Sequence, residues 1–318
     1  TSYILSSKMK AQRLITRGPI HANSLIQTDV DKPKPGADDL LLRVRTCAIC
    51  HTDLHVIEGE LPARELPLTP GHQIIGIVEE VGAGVVNHKR GDRVGVAWLN
   101  STCGVCDFCQ RGEENLCPTA KFTGYDVDGG YAEYAVIPSG FAYTIPTRFS
   151  DQAAAPLLCA GIIGYRALRL SNFKPGGRLG LYGFGASAHI VIQLARHAGG
   201  EVYVFSTNEH HRQLASDLGA VWTGTSDMVP SKPLDSAISF APAGQLVPAA
   251  LNVLRPGGTL ALAGIYMSPI PQFDYSLLYH ERIVRSVANF TRQDATDFLN
   301  LANEIPVRTE IEVFPLAE

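Results

Sequence analysis

Residues 47–55 read Cys-Ala-Ile-Cys-His-Thr-Asp-Leu-His, which places two thiols, two imidazoles, a hydroxyl and a carboxylate within nine positions. That density suits chemistry better than it suits an ordinary core strand. A lone cysteine is usually a small buried hydrophobe, but two later stretches extend the set. Gly71-His72-Gln73-Ile74-Ile75-Gly76 places a histidine between glycines, and Pro156-Leu157-Leu158-Cys159-Ala160-Gly161 places a cysteine in an apolar run. Cys50, His72 and Cys159 together offer a Cys₂His donor set, which suits a tetrahedral zinc with one open position. A second group, Cys103, Cys106, Cys109 and Cys117, has the spacing C-x₂-C-x₂-C-x₇-C in a loop with Gly104 and Gly112. Four thiolates complete a tetrahedral zinc shell, so this site is expected to be structural. A four-cysteine iron–sulfur cluster is the alternative. Cys47 is left over and is expected to be a buried packing residue.

The elements that position these residues follow from periodicity. Leu40-Leu41-Leu42-Arg43-Val44-Arg45 predicts a strand, and Thr52-Asp53 supplies helix N-cap chemistry just after it. On that helix Thr52 and His55 are three apart and share a face, as a proton path requires. Short runs such as 76–82 and 91–96, punctuated by glycine and proline, predict a β-rich, barrel-like domain. Gly82-Ala83-Gly84 is expected to be a turn, because no helical pattern follows it.

After Cys159 the pattern changes. A helix-like run at 162–168 leads to a strand at 178–182, then Gly183-Phe184-Gly185-Ala186-Ser187-Ala188, then a helix with Ile190, Val191, Leu194, Ala195 and Ala198 on one side. Strand, G-x-G-x-x-(G/A), helix is the order of a dinucleotide fingerprint. Gly183 allows the tight turn, Gly185 lets backbone N–H groups approach a pyrophosphate, and Ala188 permits close packing. Amides at the helix N-terminus then bind phosphate. Further strands are expected at 202–205, 237–240 and 283–288. Residues 174–183 and 255–264 share a basic-Pro-Gly-Gly-x-Leu-x-Leu-x-Gly frame, if 178 and 259 are taken as equivalent. This echo predicts the two mononucleotide-binding halves of one doubly wound sheet. The fold class is therefore α/β, with a catalytic zinc domain at 1–155 and 291–318 and a dinucleotide-binding domain at 156–290.

At 318 residues the chain is long enough for two cores. Hydrophobic content of 45% and charged content of 18% are ordinary for a globular protein. A net charge of −4 and a pI near 6.2 argue against nucleic acid or an anionic membrane as partner. No apolar run approaches the ~20 residues of a membrane span, and no signal-peptide pattern is visible. Cysteines in metal-type spacing point to a reducing compartment, so the expected location is cytoplasmic.

Cys50-His51-Thr52-Asp53, Gly71-His72 and the Cys159 segment resemble the zinc-dependent alcohol dehydrogenases of the medium-chain dehydrogenase/reductase family. The similarity runs from about Met9 to the last residue. It implies a GroES-like catalytic domain beside a Rossmann domain, with two zinc ions per chain, and it favours zinc in the four-cysteine lobe. It implies hydride transfer between a small alcohol or aldehyde and NAD(P). Zinc on Cys50, His72 and Cys159 would polarise the substrate oxygen. Thr52 would take the alcohol proton and pass it through the cofactor ribose to His55. Asp53 would orient His72, His51 would face the pyrophosphate, and Trp98 would line the substrate pocket. One residue departs from the family pattern: Gln73 stands where the family usually has Glu, so a charged role for that side chain is not expected. Such enzymes commonly begin near Met9 and continue past Glu318 through another strand and helix. Two other functions fit the fold: a non-catalytic zinc- and dinucleotide-binding protein, and a metal-free quinone-reductase-like relative.

An NAD enzyme places Asp or Glu about 20 residues past the fingerprint, to bind the ribose 2′-OH. Here that position is Ser206, followed by Thr207 and Asn208, with His210, His211 and Arg212 close behind. Ser206 with Arg212 could hold a 2′-phosphate, a pattern similar to the NADP-dependent cinnamyl-type relatives. NADP is therefore the expected coenzyme, with NAD possible through Glu209. The resemblance also implies a homodimer or homotetramer.

Overall fold

The computed structural model describes residues 8–62 and 64–317. Of the N-terminal extension expected before Met9, residues 1–7 lie outside the described residues, as does Glu318, whereas Lys8 opens the first strand. The chain divides into two compact units: Thr1–Cys159, Thr291–Asn300 and Glu310–Glu318 form one, and Ala160–Phe290 with Leu301–Thr309 form the other. This division differs from the sequence-based domain ranges at 156–159 and 301–309.

The first unit is antiparallel. Strands β1 (Lys8–Arg13) and β2 (Ile26–Asp31) form a ribbon. They are followed by β3 (Asp39–Ala48), α1 (His51–Glu58), β4 (Gln73–Val81), β5 (Arg93–Val96) and β6 (Leu99–Ser101). Next come α2 (Asp107–Gln110), β7 (Lys121–Phe122), β8 (Tyr134–Pro138), β9 (Ala142–Thr144) and α3 (Asp151–Ala154). The main sheet has the order β8-β3-β4-β5-β9, and β6 pairs with β7. Leu40, Leu41 and Leu42 are buried in succession, so β3 is covered on both faces.

Register does the positioning. Ala48 at the end of β3 pairs with Gln73 at the start of β4. Cys50 lies two residues beyond one strand end and His72 one residue before the other, so pairing the strands brings the two together. Cys159 follows the 3₁₀ turn Ala155–Leu158, whose Leu157 and Leu158 are fully buried. A side chain at Gly95 on β5 would meet Leu158 and Ile145, so its absence makes room for that turn.

The second unit begins with α4 (Ala160–Leu170) and continues through β10 (Arg178–Tyr182), α5 (Ala186–His197), β11 (Glu201–Phe205), α6 (Glu209–Asp217) and β12 (Trp222–Gly224). It ends with β13 (Leu234–Ser239), α7 (Leu246–Val253), β14 (Leu254–Leu262) and β15 (Ile283–Ser286), before α8 (Arg292–Glu304). Its six strands are all parallel, in the order β12-β11-β10-β13-β14-β15. That is the 3-2-1-4-5-6 order of a doubly wound sheet. Alternate residues serve opposite faces. Leu179, Leu181, Val202 and Val204 pack with Val191 and Ile192 of α5, whereas Tyr182, Tyr203 and Phe205 pack with Val247 and Leu251 of α7.

The structure corrects three expectations. The repeated Pro-Gly-Gly frame falls on β10 and β14, the first and fifth strands of the order, whereas the second half opens on β13. The frame repeats a turn rather than a half-domain: Gly176 and Gly257 take the same left-handed conformation, with φ of 76° and 74°. The last strand stops at Ser286, two residues short of the expected end. The chain also returns to the first unit in two pieces. Between them, Gln193 of α5 holds residue 308 with a paired bond: its Nε2 donates to Arg308 O (2.9 Å) and its Oε1 accepts from Arg308 N (2.8 Å). No single helix among the described residues is long and apolar enough to cross a membrane.

Candidate active site and metal centres

Cys50, His72 and Cys159 bring their donor atoms within 4.8 Å of one another. Cys50 Sγ lies 3.4 Å from His72 Nε2. Tetrahedral zinc with Zn–S of about 2.3 Å and Zn–N of about 2.0–2.1 Å places S and N about 3.5 Å apart, so the geometry fits. The proton chemistry of the donors fits as well. A hydrogen bond with Cys159 and the His72 charge hold the Cys50 thiol well below its ordinary range, against burial. The same bond and burial push Cys159 well up. Burial alone would lower His72, but the charges of Cys50 and Asp53 outweigh it and raise the imidazole to about 10. The three donors thus compete for protons, which a bound dication displaces.

Cys50 also begins α1. Its Sγ accepts from Thr52 N (3.3 Å), and Asp53 Oδ2 accepts from Cys50 N (2.9 Å), which closes a capping box. The cap is therefore Cys50 rather than Thr52, and Asp53 is its reciprocal partner three residues on. Asp53 is 2% exposed, and its Oδ1 lies 3.3 Å from His72 Nδ1, in ion-pair reach but off the line of a hydrogen bond. Burial would raise Asp53, yet the His72 charge holds its carboxyl below the usual range. One carboxylate thus serves both the helix start and the histidine ring.

Gln73 is buried, and its Nε2 donates to Ala48 O (3.2 Å). A carboxylate cannot donate this bond, so the amide ties the start of β4 to the end of β3. Trp98 is 8% exposed and meets the His72 ring edge-on at 4.9 Å. Phe122 and Tyr125 stack on Trp98 at 5.3 and 5.7 Å, and Tyr125 is fixed in turn by its hydroxyl donating to Pro62 O (2.6 Å). Neither Phe122 nor Tyr125 carried a signal in the sequence.

His55 is buried on α1, Thr52 is half-buried and His51 is exposed. The rings of His51 and His55 meet edge-on at 4.8 Å. His55 Nδ1 is hydrogen-bonded to Glu60 Oε2, a partner beyond the helix end that the sequence analysis missed.

In the lobe, the four sulfurs of Cys103, Cys106, Cys109 and Cys117 lie within 4.8 Å of one another, with contacts of 3.5, 3.6 and 3.9 Å. A ZnS₄ tetrahedron with Zn–S of about 2.3 Å requires S···S of about 3.8 Å. Backbone amides also point at the sulfurs: Cys106 N donates to Cys103 Sγ (3.3 Å) and Cys103 N to Cys117 Sγ (3.5 Å). Burial would raise Cys117, but this amide bond and contacts with Thr119 bring it down to about 6. The lobe is tied to α8 through Glu114, whose Oε1 accepts from Arg292 N at 2.9 Å.

The fingerprint takes the expected form. Gly183 turns the chain at φ 80°, and a Cβ there would press on Ala241 at 3.0 Å. Gly185 caps α5 without a side-chain bond, Phe184 and Ala188 are buried, and open space surrounds the position a Gly185 Cβ would take. Ala186 and Ser187 form the first turn, so its amides are offered to a phosphate. At the end of β11, Ser206 is 9% exposed and Thr207 exposed. Arg212 Nη1 donates to Ser206 O (2.7 Å), which holds the guanidinium at that strand end.

A doubly wound parallel sheet with this fingerprint, in a chain with a Cys₂His donor set, defines a zinc-binding dehydrogenase. Comparison with known proteins gives the same class. Residues 36–147 match the alcohol dehydrogenase GroES-like domain, and residues 186–304 match the zinc-binding dehydrogenase domain. The chain is 46% identical to the "Probable alcohol dehydrogenase AdhA" of Mycobacterium tuberculosis, over 98% of this chain and 92% of that one. It is 38% identical to an alcohol dehydrogenase of Geobacillus stearothermophilus, over 91% and 88% of the two chains. Among solved structures, CAD from Helicobacter pylori complexed with NADP(H) superposes with a TM-score of 0.86 at 27% identity, over 96% of this chain and 90% of that one. The chain belongs to the zinc-dependent alcohol dehydrogenases of the medium-chain dehydrogenase/reductase family. It is an oxidoreductase of alcohols and aldehydes.

Proposed function

We propose that the chain oxidises small alcohols, or reduces the matching aldehydes, with zinc held by Cys50, His72 and Cys159 and with NADP preferred to NAD. The observation that carries this reading is the Cys₂His set, whose S···N separation of 3.4 Å suits zinc and which leaves the fourth position for substrate. Zinc there supplies Lewis-acid polarisation of the alcohol oxygen, and the nicotinamide supplies the hydride acceptor. The chain's own residues do the rest. Asp53 orients His72, and the Trp98 wall limits the space beside it. Thr52 takes the hydroxyl proton, and His55 receives it at the end of the relay. His51 and the first-turn amides at Gly185, Ala186 and Ser187 bind the pyrophosphate. Ser206, Thr207 and Arg212 bind the 2′-phosphate, in keeping with the NADP(H)-bound relative. Cys103, Cys106, Cys109 and Cys117 hold a second, structural zinc.

The same reading makes the protein a cytoplasmic homodimer or homotetramer with no nucleic-acid or membrane partner. The acidic net charge and the metal-type cysteines support it, as does edge strand β15, whose Ile283 is 46% exposed. A screen of alcohols and aldehydes with both coenzymes, beside zinc analysis, tests the proposal. It predicts alcohol-dependent NADP reduction and about two zinc per chain. Zinc-free protein that reduces quinones would overturn it.

A further inference from the structure

We propose that Arg93 is a positioning residue for the Cys₂His metal site: its guanidinium fixes the segment that brings Cys159 to Cys50 and His72. The inference rests on the zinc role given to that trio above and adds a residue to it. Two of the three donors are held by the strand ladder, since Cys50 follows β3 and His72 precedes β4, and these strands pair at Ala48 and Gln73. Cys159 has no strand of its own. It ends a short rod, α3 (Asp151–Ala154) run on into the 3₁₀ turn Ala155–Leu158. The Ser150 side chain caps the start of the rod by accepting from Ala153 N, and Ala155 N donates to Asp151 O, so the two turns are joined. Ala154, Ala155, Leu157 and Leu158 are at most 1% exposed and seat the rod on the sheet. Apolar burial is non-directional, however, so it does not by itself set the rotation of the rod or the place of its end.

Arg93 supplies the direction. It opens β5 opposite Ile77 of β4, the strand that His72 leads into. Its Nε donates to Asp151 Oδ1 (2.8 Å), its Nη2 to Phe149 O (2.9 Å) and its Nη1 to Pro146 O (3.3 Å). The Arg93 side chain is 23% exposed, so these charge-assisted bonds are largely shielded from water. Arg45 of β3 adds a second pair, Nε to Asp151 Oδ2 at 3.3 Å, but it is 49% exposed and contributes little. A guanidinium meets three acceptors through one planar fork, which the point charge of a lysine does not reproduce. The start of the rod is thereby tied to the same sheet that sets Cys50 and His72, and a shift there would be carried along the rod to Cys159.

The test follows zinc release to a chelator from zinc-loaded wild type, Arg93→Met, Arg93→Lys and Arg45→Met. Cys159→Ser, which keeps only the lobe zinc, gives the release rate of that second ion. Arg93→Met should release the zinc of the trio roughly ten- to a hundredfold faster than wild type, with release from the lobe unchanged. Added zinc should raise turnover in Arg93→Met and leave wild type unaffected. Arg93→Lys keeps the charge and the fold but not the fork, so it should release the trio's zinc at an intermediate rate, and Arg45→Met should stay near wild type. In the Cys159→Ser background Arg93→Met should leave zinc content and release unchanged, because the donor it positions is gone. Wild-type release of the trio's zinc from folded Arg93→Met or Arg93→Lys would overturn the proposal. Equal acceleration at both sites would do so too, since that marks a general loosening of the fold. A wild type that holds only the lobe zinc would instead overturn the function proposed above.

Discussion

Substitution at a single position, Ser206, should reverse the proposed preference for NADP. The residue ends β11, is 9% exposed, and has Arg212 Nη1 2.7 Å from its carbonyl oxygen. Ser206→Asp places a carboxylate where the 2′-substituent of the adenosine ribose is expected. A 2′-phosphate carries about −1.5 to −2 charges at neutral pH. At about 5 Å and an effective dielectric of about 20, each pair of unit charges repels by about 3 kcal/mol. Arg212, held at the end of β11, would offset part of this and salt screens more, so the expected net penalty is about 2–4 kcal/mol. That corresponds to a loss of roughly 30- to 1000-fold in kcat/KM with NADPH, while NADH gains an acceptor for its 2′-OH. The assay is steady-state reduction of one aldehyde with each coenzyme, for both proteins, at low and high salt. The wild type should prefer NADPH, and the variant should lose or invert that preference. Wild-type kcat/KM equal for the two coenzymes, or higher with NADH, would refute the assignment of Ser206 and Arg212.

Cys106→Ser should lower the melting temperature by roughly 5–10 °C, because a closed zinc site contributes to folding, while turnover per folded molecule changes little. Unchanged melting with full zinc content would remove the lobe from the account. Asp235 joins two arginines, with Arg255 Nε at 2.6 Å and Arg178 Nε at 3.2 Å. Partial burial would raise its carboxyl, but hydrogen bonds and charge from Arg178, with Arg255, hold it below the ordinary 3.8. Its folded-state value is thus depressed, so its stabilisation is present above the unfolded-state value and is lost as pH falls through the folded one. Asp235→Asn should cost about 1–2 kcal/mol in urea denaturation at neutral pH. The gap to wild type should close in acid; a gap that persists there would refute the ion-pair origin.

The parts of the site legible in the sequence were those written locally. The fingerprint from Gly183 to Ala188 and the lobe from Cys103 to Cys117 carry their spacing in one stretch, and the structure places each as one unit. The trio is different. Cys50, His72 and Cys159 are joined only by the pairing of Ala48 with Gln73 and by a buried turn, so spacing alone cannot assemble them. The Pro-Gly-Gly echo misled because turn chemistry repeats wherever a tight turn feeds a buried strand. Glu60 and the Phe122–Tyr125 stack were illegible for a further reason. Glu60 is ordinary in composition and reaches His55 only because Gly59 reverses the chain, and the aromatic stack depends on rings that meet across 24 and 27 positions.

The central claim is that Cys159 completes a zinc site at which the chemistry occurs, although it lies far from Cys50 and His72 in the chain. Zinc content and alcohol-dependent NADP reduction, measured on the same preparations of wild type and Cys159→Ser, test it directly. The wild type should hold about two zinc per chain and the variant about one. Melting and coenzyme binding should be largely retained, and turnover should be abolished. A variant that loses one zinc yet keeps near-normal turnover would contradict it and return Cys159 to the core.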